Sequence, residues 1–191
     1  MNGLSEPSAL KRGQQEFRDD RIFYIGCDDR YAPDQYFGFF RMPRIKMCVI
    51  PATDNKSHAR WVLEKLQACE CEEDDERWMI LDTDHCVEDS HFETYEKALS
   101  EARQQGIKVA ISKPSFEVWL ALHHIDFDAL QGCTNAESVG EVLSDAIGGY
   151  RKTGLREDAF PLARVPDAYR RAKTRDIGIG GGDKPEDLTT R

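Results

Sequence analysis

The sequence predicts an α/β fold in which helices flank a parallel β-sheet, with further helices at the C-terminal end. Four short apolar runs are separated by segments of helical periodicity, an alternation typical of parallel sheets. The runs are continuously apolar rather than alternating with polar residues, which favours strands that are covered on both faces. A chain of 191 residues is long enough for one domain with its own core.

Four strands are predicted from the apolar runs, at residues 22–27, 45–51, 77–82 and 107–112. Proline ends the second of them, because it cannot donate to a strand ladder. The first strand is followed directly by Asp28 and Asp29, and the third ends in Asp82 with Asp84 two residues later. Two of the four predicted strands would therefore end in carboxylates.

Helices are predicted between and after these strands. Phe92, Tyr95, Leu99 and Ala102 keep a helical stripe within residues 91–105, and Gly106 is placed to terminate it. The other predicted helices are residues 57–67, the segment that follows Pro114, residues 138–147 and residues 161–175, with a helix or turn at 34–40. Residues 1–20 are interpreted as a flexible leader, 21–176 as the domain, and the glycine-rich residues 177–191 as a disordered tail.

Composition excludes several classes of protein. The formal net charge of −9 does not indicate a uniformly basic nucleic-acid binder, although a local basic surface or a bound cation can offset acidity. There is no apolar stretch long enough to span a membrane and no secretory signal at the N-terminus, so a cytoplasmic protein without a membrane partner is expected. In that reducing compartment the six cysteines should be free thiols.

The acidic strand ends are the main functional candidates. Side chains two residues apart on a strand face the same way, so Asp82 and Asp84 share a face, and Asp28 can join them if the first and third strands are neighbours. Clustered carboxylates repel one another unless a cation neutralises them, and Mg²⁺ or Mn²⁺ accepts such hard oxygen ligands. Aspartate is also common at strand ends as a turn former and helix cap, so the structural interpretation stays open.

Two residues after the fourth strand are further candidates. Glu117 lies in an apolar helix, where it either forms a structural ion pair or adds a carboxylate to the site. Lys113 lies at the turn before that helix, where it either faces a scissile phosphate or is solvated. His123 and His124, which close the helix, are interpreted as structural.

A basic run lies on the last predicted helix, with Arg170, Arg171 and Lys173 at its centre. Such runs usually mark a solvated face. Beside a candidate phosphodiesterase site they also offer a surface for the nucleic-acid backbone.

The order of these segments resembles the RloB-like proteins. The family's Asp-x-Asp strand is similar to MILDTD at residues 79–84, its first motif to CDDRYAPDQYF at 27–37, and its last helix to DAYRRAK at 167–173. The resemblance extends from about residue 20 to about residue 175. It rests chiefly on ISKPSFEVWLALHH, where the matching residues are Ser112, Pro114, Phe116, Glu117, Trp119, Leu120, Leu122 and His123.

The resemblance implies a TOPRIM-like catalytic domain that uses Mg²⁺ or Mn²⁺ to cleave RNA or DNA. Asp82 and Asp84 would hold the metal, and Asp28 would help to bind it or would transfer protons. Lys113 and Glu117 would complete the catalytic set. It also implies a role in bacterial defence against phage beside an AAA-type ATPase, while self-association is left open.

The first motif departs from the family pattern. Asp28 stands where the family has glutamate, Asp29 replaces a glycine, and the following Thr-Glu is missing. The shorter side chain moves the carboxyl group by about one bond length, and misplacement on that scale can cost ~10²-fold in rate. A regulatory subunit without catalysis is therefore one alternative. Phosphoryl transfer other than nucleic-acid cleavage is another, because a metal site alone does not choose the substrate.

Overall fold

The computed structural model describes residues 20–53, 58–83 and 92–174, so Asp84, residues 1–19 and the predicted tail lie outside the described ranges. The strands are β1 Arg21–Cys27, β2 Ile45–Ile50, β3 Glu76–Asp82 and β4 Lys108–Ser112. The helices are α1 Ala32–Gly38, α2 Ala59–Gln67, α3 Phe92–Gln104, α4 Glu117–Ala121, α5 Ala136–Ile147 and α6 Val165–Lys173. Three 3₁₀ segments follow α4, at Phe127–Leu130, Glu157–Ala159 and Leu162–Arg164.

The four strands form one parallel sheet in the order β2-β1-β3-β4. Helices flank this sheet, which confirms the predicted α/β fold and is consistent with a Rossmann-like arrangement. The register pairs Cys27 of β1 with Ile80 of β3, and Asp82 with Ser112 of β4. The carboxyl ends of β1, β3 and β4 therefore lie side by side, an adjacency that the sequence alone does not establish.

One side of the sheet, here called the α2–α3 face, packs against α2 and α3. Met79 and Leu81 of β3 point to this face and join an apolar cluster with residues of both helices. A side-chain Cβ at Gly26 would lie only 2.8 Å from Val62 and 2.9 Å from Leu66, closer than such atoms approach. Glycine at this position lets α2 lie directly on β1.

The opposite side, here called the α4–α5 face, packs against α1, α4, α5 and α6. Ile25 and Cys27 of β1 and Ile80 of β3 point to this face. Tyr36 of α1 is buried there among five aromatic side chains, and its hydroxyl lies 3.0 Å from Nε2 of the buried His123. This contact fits the structural interpretation of His123.

Several helix starts differ from the sequence-based bounds. Helix α4 begins at Glu117 rather than in the turn at Pro114, whose carbonyl instead accepts a hydrogen bond of 2.9 Å from the Thr83 amide. Helix α5 begins at Ala136, because the side chain of Asn135 accepts from the Ser138 amide and caps it. Helix α6 begins at Val165 after a 3₁₀ turn.

Within the described residues, no helix combines the length and apolar character needed to cross a membrane.

Candidate metal centre

Three buried carboxylates converge beyond the carboxyl ends of the strands. Asp29 follows β1, Asp82 ends β3, and Glu117 begins α4, and an oxygen from each lies within 4.8 Å of the others. Asp29, Asp82 and Glu117 are 7%, 3% and 1% exposed. Ligand sites of open α/β sheets lie at this edge, so the group lies where such folds bind ligands.

The alternation of β-strand side chains explains why Asp82 belongs to this group. Ile80 points to the α4–α5 face while Met79 and Leu81 point to the other, so Asp82 follows Ile80. Glu117 approaches from the same face, because α4 packs there. Asp82 and Glu117 therefore lie together at this edge of the sheet, whereas from the sequence a place in the site for Glu117 was only one of two alternatives.

Asp28 occupies a different position from that of Asp29. Its Oδ2 accepts a hydrogen bond of 2.9 Å from the Asp82 amide, so it links the ends of β1 and β3. Asp29 reaches the carboxylate group instead, while its Oδ1 accepts from the amides of Tyr31 at 2.7 Å and Ala32 at 3.3 Å at the start of α1. The predicted metal-binding and catalytic role of Asp28 stays a prediction, and that of Asp84 falls outside the described residues.

A lysine and a tyrosine from the segment after α5 complete the surroundings. Nζ of Lys152 lies 2.6 Å from Oδ2 of Asp29 and 3.3 Å from Oε1 of Glu117. The hydroxyl of Tyr150 donates to the same Glu117 Oε1 at 2.8 Å. The side chains of Asp29 and Glu117 are 3% and 2% exposed, but that of Lys152 is 38% exposed. The ammonium therefore lies between the buried carboxylates and solvent.

The carboxylates shift the pKa values of both Lys152 and Tyr150 upward. Burial lowers the pKa of Lys152, but the carboxylates of Glu117, Asp29 and Asp82 outweigh burial and hold that pKa above its usual value. Burial, followed by the Glu117 carboxylate, raises the pKa of the Tyr150 phenol well above its usual value. At neutral pH, Lys152 is thus an ammonium and Tyr150 a neutral hydrogen-bond donor.

Glu117 has one oxygen available for a ligand. Its Oε1 accepts from Tyr150 and pairs with Lys152, whereas its fully buried Oε2 has no hydrogen-bond partner within the described residues. A buried oxygen that lacks a partner is costly, and a divalent cation would satisfy it. Hard carboxylate oxygens from three residues are suitable ligands for Mg²⁺ or Mn²⁺.

Lys113 lies half-buried in the turn after β4. Burial lowers the pKa of its ammonium, and it makes no ion pair with any carboxylate in the described ranges. Its predicted contact with a phosphate stays a prediction.

Two of the three basic residues predicted to bind nucleic acid on α6 form ion pairs within the protein. Arg170 pairs with Asp167 at 2.6 Å. Arg171 pairs with Asp126 at 2.7 Å and donates to the Leu122 carbonyl at 2.8 Å, at the end of α4. Lys173 is exposed and its ammonium lies over the ring of Tyr169. Of the three predicted nucleic-acid contacts, Arg171 is thus also a packing residue.

Sequence reasoning did not identify Asp29, Tyr150 or Lys152 as site residues. Asp29 could have been found from strand alternation, since it lies two residues after Cys27, on the side that Ile25 also faces. Nothing in the sequence connects Tyr150 or Lys152 with the acidic strand ends, because that contact depends on how α5 packs.

Comparison with known families identifies the chain. A family model described as "RloB-like protein" matches residues 23–189, which is most of the sequence. Comparison with curated proteins and with solved structures gave no significant match. The match agrees with the resemblance carried by the segment around Glu117, and the chain therefore belongs to the RloB-like protein family.

Proposed function

We propose that this protein is a divalent-metal-dependent nuclease that hydrolyses phosphodiester bonds of RNA or DNA. The observation that carries the proposal is the convergence of Asp29, Asp82 and Glu117, together with the unpartnered, buried Oε2 of Glu117. Three carboxylates in so small a volume repel one another, and a divalent cation removes that repulsion.

Asp82 and Glu117 are the principal ligands in this proposal, because both oxygens of Asp29 already have partners. Asp28 is a positioning residue that holds the backbone of Asp82 through its amide. A bound Mg²⁺ or Mn²⁺ would stabilise negative charge on a phosphodiester and lower the pKa of a coordinated water. Asp84 is proposed as a further ligand from its place in the Asp-x-Asp motif.

The protein's other cations would bind the substrate. Lys113, half-buried and unpaired among the described residues, is proposed to contact the phosphate. The exposed basic side chains of α6, chiefly Arg170 and Lys173, are proposed to bind the nucleic-acid backbone. A TOPRIM-type catalytic domain, a cytoplasmic role in anti-phage defence and an AAA-type ATPase partner are proposed from family membership.

The test is cleavage of mixed tRNA and plasmid DNA by the purified full chain with Mn²⁺ or Mg²⁺. Asp82→Asn and Glu117→Gln remove one ligand charge each with almost no change in shape, and each should lower the rate by at least ~10²-fold, since even indirect loss of metal-site contacts costs 10–100-fold. Glu141→Gln makes the same chemical change at an exposed position of α5 and is the matched control. Full cleavage by Asp82→Asn would contradict the metal mechanism.

The second candidate is a regulatory subunit without catalysis. The observation that favours it is Lys152, which already pairs with both Asp29 and Glu117 and so neutralises part of the carboxylate charge without a metal. Thermal unfolding with and without Mn²⁺ distinguishes the two functions. A bound ion at 100 times its dissociation constant should add about 2.7 kcal/mol to the unfolding free energy. Absence of that gain at millimolar Mn²⁺ would favour the regulatory function.

A further inference from the structure

The segment that carries Lys152 is anchored independently of the carboxylates. Gln35 of α1 donates through Nε2 to the Lys152 carbonyl at 2.8 Å, and its Oε1 accepts from the Leu155 amide at 2.9 Å. On the other side, the ring of Tyr150 lies against Gly140 of α5, where an added Cβ would come within 3.4 Å. The backbone at Lys152 is thus held between α1 and α5, which directs its side chain at the site.

The ammonium occupies one side of the carboxylate group. It forms ion pairs with Oδ2 of Asp29 and Oε1 of Glu117, whereas Oε2 of Glu117 has no hydrogen-bond partner within the described residues. The three carboxylates and this single ammonium carry a formal charge of −2. That charge is equal and opposite to the charge of one divalent ion. The sum leaves out Asp28, whose carboxylate accepts from the Asp82 amide, and Asp84, which lies outside the described residues.

We propose that Lys152 is a fixed counter-cation of the metal centre, which limits the site to one divalent ion and weakens the affinity for that ion. The inference rests on the proposed function, since it concerns the same site. In two-metal sites the second ion lies about 3.5–4 Å from the first. Here a second ion at Asp29 and Glu117 would have to displace the Lys152 ammonium.

The direction in which the metal affinity changes when Lys152 is removed distinguishes a competing cation from a structural residue. If Lys152 only holds Asp29 and Glu117 in place, its removal should disorder the ligands and weaken metal binding. If it is a competing cation, its removal should tighten binding, because a positive charge within a few ångströms of the metal raises the energy of the bound state.

The experiment measures Mn²⁺ binding to the full chain by titration calorimetry, with no cleavage readout. The neutral variants Lys152→Met and Lys152→Gln should bind Mn²⁺ about tenfold more tightly or better, since one unit charge is removed from a partly buried site. Lys152→Arg keeps the charge and should stay near the parent. Arg151→Met removes a neighbouring exposed charge and controls for net charge.

The stoichiometry of the site is the number of Mn²⁺ ions per chain whose binding is lost in Asp82→Asn. One ion per chain is expected. Two such ions in the parent would overturn the role of Lys152. Unchanged or weaker Mn²⁺ affinity in both neutral variants would also overturn it, provided that the variants still unfold cooperatively without metal. If the parent itself binds no Mn²⁺ that Asp82→Asn removes, the proposed metal centre fails instead, and the inference fails with it.

Discussion

The two faces of the sheet bury different chemistry. On the α2–α3 face, buried side chains such as Leu63 and Leu66 of α2 and Leu99 of α3 form an apolar cluster. On the α4–α5 face and at its rim lie the buried carboxylates of Asp29, Asp82 and Glu117, and the buried His123. Apolar burial stabilises a fold, whereas buried ionisable groups cost stability unless they are paired. Both faces therefore contribute apolar burial to stability, and the α4–α5 face carries the candidate site in addition.

The largest expected effect is on the α2–α3 face. Leu66→Ala removes a fully buried side chain that packs against Gly26 of β1, and it should lower the unfolding free energy by about 2–5 kcal/mol. Urea unfolding measures the change, and the Mn²⁺ affinity of the folded protein should be unaltered. Glu117→Gln, on the other face, loses the ion pair with Lys152 but keeps an oxygen that accepts from Tyr150 and relieves repulsion between carboxylates, so it should cost less metal-free stability than Leu66→Ala. Equal losses in both variants would remove the distinction between the faces.

An acid-dependent loss of stability is expected from the α4–α5 face. Burial, followed by the charges of His124, Arg164 and Arg171, lowers the pKa of His123 to about 4 from its ordinary 6.5. Above pH 6.5 the histidine is neutral in both states. As the pH falls from 6.5 to 4 the unfolded chain takes up the proton first, so stability falls by on the order of 3 kcal/mol.

The variant His123→Gln isolates this contribution, because it keeps a polar group near the Tyr36 hydroxyl but does not titrate. Its unfolding free energy, measured in urea at pH 7 and pH 5, should fall less between the two than that of the parent. An identical fall in the two proteins would show that His123 does not carry the acid sensitivity.

The smallest expected effects concern α6, where Arg171 packs against α4 and Lys173 is exposed. Arg171→Ala removes the hydrogen bond to the Leu122 carbonyl and should cost about 1–2 kcal/mol of stability. Lys173→Ala should leave stability unchanged and weaken nucleic-acid binding, with the salt dependence of binding reduced by about one charge. Urea unfolding measures the stability of both variants, and fluorescence anisotropy at several salt concentrations measures the nucleic-acid binding of Lys173→Ala. A salt slope unchanged by Lys173→Ala would place the nucleic-acid surface elsewhere.

Local pattern was sufficient for most of the secondary structure. The strand bounds at β1, β3 and β4 agree with the apolar runs to within a residue, because strands covered on both faces need continuous apolar sequence. The start of α4 was not predictable in the same way. Pro114 is suited to a first helical turn, yet its carbonyl is used to hold Thr83 at the end of β3, a partner 31 residues away.

The candidate site shows the same division. The acidic strand ends and the segment around Glu117 predicted where carboxylates gather, and the family pattern in that segment identified the family. Which aspartate after β1 joins the group was decided by strand alternation and by the hydrogen bond of Asp28 to the Asp82 amide. Strand alternation alone favours Asp29, but the family motif points to Asp28, and the structure shows that Asp28 is used at the Asp82 amide instead.

By itself, then, the sequence determined the α/β fold, the family and the presence of carboxylates at one edge of the sheet, because each of these follows from periodicity or from residues close together in the chain. Only the tertiary structure decided that Asp29, Asp82 and Glu117 form the group and that Lys152 and Tyr150 complete it. Lys152 lies 123 residues after Asp29, and only the packing of α5 against α4 and the anchoring by Gln35 bring the two together.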